Sequence, residues 1–148
     1  MTKTPSAARL ALLANRINTV LVLLFLPALP FLLNWYRTQR PLPQHSYLAI
    51  LIGFYCCSVF VLLALWTMDK LLKNILCEEV FVRDNVRWIH RVQYCCGAIS
   101  LICVPAAIFY APLWFMVIIM AFLFLVVWVV AQVMDAAVTI REENDLTI

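Results

Sequence analysis

Charge is scarce in this chain. Of its 148 residues only 13% are Asp, Glu, Lys or Arg, about half the ~25% of an ordinary soluble domain. That disfavours a soluble enzyme, a nucleic-acid-binding domain and a disordered tail, because a globule of this size has nowhere to hide its remaining apolar surface. Glycine is scarcer still, with 2 residues against 7 prolines. Collagen-like and low-complexity classes therefore go, and so does a glycine loop to cradle phosphate. The six cysteines include no Cys-x-x-Cys pair and fall almost entirely in apolar stretches, which weighs against a secreted disulfide framework. No nucleophile stands beside a base, and no metal-ligand cluster lies on a polar face. The expectation is a protein that is not an enzyme and carries no cofactor or metal.

What is present is hydrocarbon: 66% of the residues are hydrophobic and the mean hydropathy is +0.95. Four long apolar runs stand out, at 17–35, 47–68, 92–111 and 113–134. Each can cross ~30 Å of hydrocarbon as ~20 helical residues. Helices satisfy their own backbone there, and alternating barrel strands are not seen. The predicted fold is all-α: one polytopic membrane domain over 1–148 with four transmembrane helices.

The first run is longer than a signal-peptide core and ends in Asn34-Trp35-Tyr36-Arg37 rather than a small-residue cleavage site, so it reads as an uncleaved anchor. Orientation follows the basic residues. The segment 1–16 carries Lys3, Arg9 and Arg16, and the second connection carries Lys70, Lys73, Arg83, Arg87 and Arg91. The first loop has only Arg37 and Arg40, and Ala111-Pro112-Leu113 has no charge. Both termini are expected in the cytoplasm.

Ser6 is a candidate N-cap for a helix leading into the first run, and Asp84 for the helix leading into the third. Leu71, Leu72, Ile75 and Leu76 continue the helical period of the second run past the membrane. A helical hairpin projecting into the cytoplasm between the second and third runs is the expectation.

The stretches Leu72-Lys73-Asn74-Ile75-Leu76, Val80-Phe81-Val82-Arg83-Asp84-Asn85-Val86-Arg87-Trp88-Ile89 and Arg141-Glu142-Glu143-Asn144-Asp145-Leu146-Thr147-Ile148 resemble an uncharacterised bacterial membrane family, domain of unknown function 2975. The likeness runs from the second apolar run to the C-terminus, the first run matching only in hydropathy. Cys77-Glu78-Glu79 departs from the glycine that the family tends to place in this turn. The resemblance implies four membrane helices in a bacterial cytoplasmic (inner) membrane. Because members are often encoded beside small helix-turn-helix regulators, it also implies such a protein as a cytosolic partner. It supplies no catalytic residues.

Several features carry two readings. A thiol oxidase would want paired cysteines at the outer face, where substrate thiols and quinone meet, and none is there. Cys56 or Cys57 with Cys103 and a Met could hold a soft ion such as Cu(I). The favoured reading is packing, because Cys96, Ser100, Cys103 and Ala107 form a small-residue stripe, and Ala49, Gly53, Cys57 and Ala64 a similar one broken by Phe60. Pro27 and Pro30 free carbonyls near Leu23 and Leu26, more often a kink than an ion site. No charge lies near mid-membrane, which argues against proton-coupled transport. Asp69 can pair with Lys73 one turn on. His45 and His90 read as solvated loop residues.

From 135 to 148 the chain carries Asp135, Glu142, Glu143 and Asp145 against a single Arg141. This acidic tail is expected to fold back on the basic hairpin or to yield that place to a partner; the alternative is a solvated tail that only aids solubility. The predicted partner-binding residues are Phe81, Asn85, Arg87, Glu143, Asp145 and Ile148, with Arg87 and Glu143 of opposite charge. No direct contact with nucleic acid is expected. The alternative is a homo-oligomeric channel or small-molecule exporter with Ser58, Ser100 and Gln132 as its polar lining.

Overall fold

A backbone that must bond internally in hydrocarbon folds into helices wherever nothing breaks it, and here little does. The computed structural model describes residues 4–39, 43–77 and 81–146. They form four helices: α1 (Thr4–Gln39), α2 (Gln44–Leu76), α3 (Arg83–Phe109) and α4 (Leu113–Leu146). All four are long and apolar enough to cross a membrane, so the chain is a multi-pass membrane protein of all-helical class.

The helices outrun the apolar stretches that announce them. α1 already includes Thr4, so Ser6 sits inside its first turn and does not cap it. α3 starts at Arg83 after an extended Val82. Asp84 therefore lies in the first helical turn, where a carboxylate suits the positive end of the helix dipole, and is not the N-cap. α4 continues to Leu146, so the described part of the expected tail is helix. Its reason is burial. Ala131 and Val138 are 0% and 1% exposed against α3, and the residues between and beyond them include no Gly or Pro. His45 and His90 lie in helices too, not in loops.

Packing follows chain order: α1 lies on α2, α2 on α3, and α3 on α4, while α1 and α4 do not pack on each other among the described residues. α3 is the middle of the assembly. About 39% of its most apolar window is buried, against 6% for each of the others. Val86, Ile89, Cys96, Ile99, Cys103 and Ala107 form its buried stripe. Two glycines permit close approach. A Cβ on Gly97 would meet the Phe124 ring of α4 at 3.1 Å, and one on Gly53 would stand 3.7 Å from the Ala106 Cβ. Pro27 and Pro30 lie within an unbroken α1. The carbonyl that Pro30 leaves without its helical donor, Leu26, accepts the Tyr55 hydroxyl at 3.1 Å.

Candidate functional site

Polar side chains concentrate at one end of the assembly, where α1 starts, α2 and α3 are joined, and α4 finishes. Asp69 of α2 takes Lys73 Nζ at 2.6 Å and Arg16 Nε of α1 at 3.4 Å. The bond from Lys73, aided by Arg16, holds its carboxyl below the usual aspartate range. Asn15 is buried and donates its amide to the Leu65 carbonyl at 2.9 Å. Trp66 and Trp88 meet edge to face at 5.8 Å, with Lys70 and Arg91 over their rings. His90 Nδ1 lies 3.1 Å from Gln93 Oε1 within α3.

The α2–α3 connection is tied at its base. The Cys77 N–H closes α2 on the Lys73 and Asn74 carbonyls, and the Asn85 N–H opens α3 on the Val82 carbonyl. Between them the Asn74 amide donates to Asn85 Oδ1 at 2.8 Å. From the first turn of α3, Arg83 reaches α4 with both arms of its fork. Nε to Glu142 Oε1 is 3.2 Å and Nη2 to Oε2 is 2.6 Å, while Nη1 stands 3.9 Å from Asp135 Oδ1. Asp135 and Glu142 are seven residues apart, two turns on one side of α4. Arg83 depresses the Glu142 carboxyl below the usual range, chiefly by hydrogen bonding, and Glu142 raises the guanidinium in return.

Of the residues predicted as partner-binding, Phe81 is exposed in the connection, and Glu143 and Asp145 are exposed on the last turns of α4. Arg87 is exposed but pairs with Asp84 of its own helix at 3.1 Å. The bridge from connection to tail therefore runs through Arg83 and Glu142, one turn away from Arg87 and one residue before Glu143. Asn85 is fully buried; its side chain closes the connection internally and cannot be a contact surface. Ile148 lies outside the described residues, as do Glu78, Glu79 and Val80 of the connection. Arg83, Asp135 and Glu142 are the residues that sequence reasoning passed over. Their signal was available, because Asp135 and Glu142 share a helical face with Ala131 and Val138 once the tail is read as helix.

A second feature lies away from that end. A cavity of about 470 Å³ is lined by all four helices, among them Leu21 and Phe25 of α1, Gly53 and Cys57 of α2, Cys103 of α3 and Met120 of α4. The sulfurs of Cys57 and Cys103 face each other across the α2–α3 seam at 3.6 Å. Among the described residues no group of three or more His, Cys, Asp or Glu stands close enough together to hold a metal ion. Of the residues named for a pore, Ser58 lines this cavity. The Ser58 hydroxyl donates to the Tyr55 carbonyl, the Ser100 hydroxyl to Val117 of α4, and Gln132 is exposed.

A family model described as Protein of unknown function (DUF2975) matches residues 4–148. The match takes in α1 as well as the segments whose residues first suggested the family. No curated protein and no solved structure matches the chain.

Proposed function

We propose that this chain, which belongs to the DUF2975 family, is a non-enzymatic regulatory protein of a bacterial inner membrane. Its polar end faces the cytoplasm and engages a soluble partner. The orientation rests on the basic residues gathered at that end, Arg9, Arg16, Lys70, Lys73, Arg83, Arg87 and Arg91. The observation that carries the reading is the Arg83 fork on Glu142. It joins the α2–α3 connection to the end of α4 through two half-exposed side chains. A pair in that setting is screened by water and easily exchanged for another, so an incoming charge can take either half. Phe81, Arg87, Glu143 and Asp145 surround it as exposed contact residues, with Ile148 beyond. Asn85 acts by setting the shape of the connection. The partner the family resemblance suggests is a small helix-turn-helix regulator.

Native mass spectrometry of the protein extracted gently from its own membrane tests the reading. A monomer or dimer carrying a small soluble protein, lost on removal of residues 142–148, is the expected result. A ring of identical copies without a soluble companion overturns it. Reporters fused to each terminus, active only outside the cytoplasm, should both stay silent.

A further inference from the structure

The α2–α3 seam is narrow beside the cavity. Gly53 and Ala106 allow Cβ positions 3.7 Å apart. In the next layer, four residues along α2 and three back along α3, the free thiols Cys57 and Cys103 bring their sulfurs to 3.6 Å. A disulfide needs Cβ atoms about 3.5–4.5 Å apart; the helices run this close in the neighbouring layer, and the two sulfurs already face each other. Both thiols line the cavity.

Among the described residues no Asp, Glu, Lys, Arg or His lines it. An ion there would be unpaired in hydrocarbon, a costly state. A Cu(I) ion held by two thiolates would leave such a charge. Electron exchange between neutral thiols and a neutral ligand leaves none. Around the cavity the helices follow in the order α1, α2, α3, α4, each packed on the next, while among the described residues α1 and α4 do not pack on each other. That gap gives an occupant a way in from the bilayer. The volume falls within the ~300–1,000 Å³ of small-molecule sites. Ser58 spends its hydroxyl hydrogen on Tyr55, so among the described residues the amide of Asn18 is the lining group left to donate to a ligand carbonyl.

We propose that this cavity admits a lipid-soluble, uncharged oxidant of the quinone class through the α1–α4 gap, and that Cys57 and Cys103 reduce it while joining to each other. Two S–H bonds break and one S–S bond forms. Two electrons and both protons pass to the two quinone oxygens, giving the quinol, and no net charge is created in the hydrocarbon. The resulting bridge ties α2 to α3 and records the redox state of the membrane's quinone pool. This inference rests on the cavity and its thiols alone and stands apart from the reading of the polar end.

The test uses the full-length reduced protein in lipid nanodiscs without oxygen, given a fully substituted short-chain benzoquinone whose ring has no open carbon for a thiol to add to. The expected result is quinol in an amount equal to the chain, followed by ultraviolet absorbance, with peptide mapping under non-reducing conditions finding Cys57 joined to Cys103. Cys57→Ala and Cys103→Ala each abolish quinol formation, whereas Cys56→Ala and Cys77→Ala leave it intact. Mapping the unaltered protein decides the matter even if a variant misfolds. No quinol, or a bridge that uses any other cysteine, overturns the proposal.

Discussion

The α3–α4 and α1–α2 seams are both contacts between long apolar helices, yet they are closed by different means. Along α3–α4 the closure is mainly shape within the apolar stretch, joined by the Ser100 bond to the Val117 carbonyl and, at the polar end, by the Arg83 fork on Glu142. Gly97 gives way to the Phe124 ring, and Ala131 and Val138 are almost wholly buried. Along α1–α2 it consists of separate bonds. Asn15 reaches the Leu65 carbonyl, Tyr55 reaches the Leu26 carbonyl, and Arg16 reaches Asp69, with one Phe25–Phe54 ring contact between them. Lipid tails are as apolar as the helices, so two helices in a bilayer gain little from hydrophobic burial and need either close fit or polar bonds. α4 leans on the first, with bonds added at Val117 and Glu142, and α1 leans on the second. The cavity is lined by all four helices, and among the described residues α1 and α4 do not pack on each other.

Breaking the fitted seam should cost most. Gly97→Leu forces a branched side chain into the space of the Phe124 ring, and overpacking of this kind costs about 1–3 kcal/mol. Thermal unfolding in detergent should show it, and pairing the change with Phe124→Ala should recover part of the loss. A Gly97→Leu protein as stable as the parent would mean that α4 is not held by fit.

The bonded seam should answer more gently. Tyr55→Phe and Asn15→Leu each remove one bond between α1 and α2. Such bonds in a membrane are worth about 0.6 kcal/mol on average and about 1.7 at most. The two losses should add, because the sites are separate, and together they should raise the accessibility of Cys57 to a lipid-soluble thiol reagent. Unchanged labelling would show that α1 is not the movable wall.

The smallest effect on stability, and the clearest on position, is expected at the end of α4. Arg83→Glu or Glu142→Arg alone should free the last turns of α4 to protease, and the two together should restore protection. Acid should do the same without mutation. Glu142 is ionised down to a pH below the ordinary glutamate value of about 4.3, because Arg83 favours its charged form. The link is therefore intact at neutral pH and is lost as pH falls through that lowered value. Protease sensitivity should rise only below the ordinary carboxylate range, and Glu142→Gln should abolish the transition.

The four spans were legible because hydropathy over ~20 residues is a property of local sequence. The length of α4 was not read, although Ala131, Asp135, Val138 and Glu142 carry its register. Four acidic residues in a short stretch suggested a tail that folds back or stays solvated; the stretch is instead the end of a helix, with Val138 buried and Glu142, Glu143 and Asp145 exposed. Asp84 looked like a cap because capping residues are recognised by type, whereas the cap position is Val82, two residues earlier. The choice of Arg83 over Arg87 depends on how α3 and α4 slide past each other, which no local pattern encodes. Cys57 and Cys103 were both recognisable as soft donors on small-residue faces. Their meeting at 3.6 Å depends on the antiparallel register of α2 and α3, and the cavity depends on α1 and α4 failing to touch.

The continuity of α4 has a mechanical side. Its 34 residues rise ~1.5 Å each, making a rod of about 50 Å, well beyond the ~30 Å of hydrocarbon. Phe124 rests against Gly97, and Glu142 lies eighteen residues further on, about 27 Å along the rod. Ala131 and Val138 are buried between the two, so the packed half of α4 and its polar end form one continuous rod, and the Arg83 fork holds the far end of it.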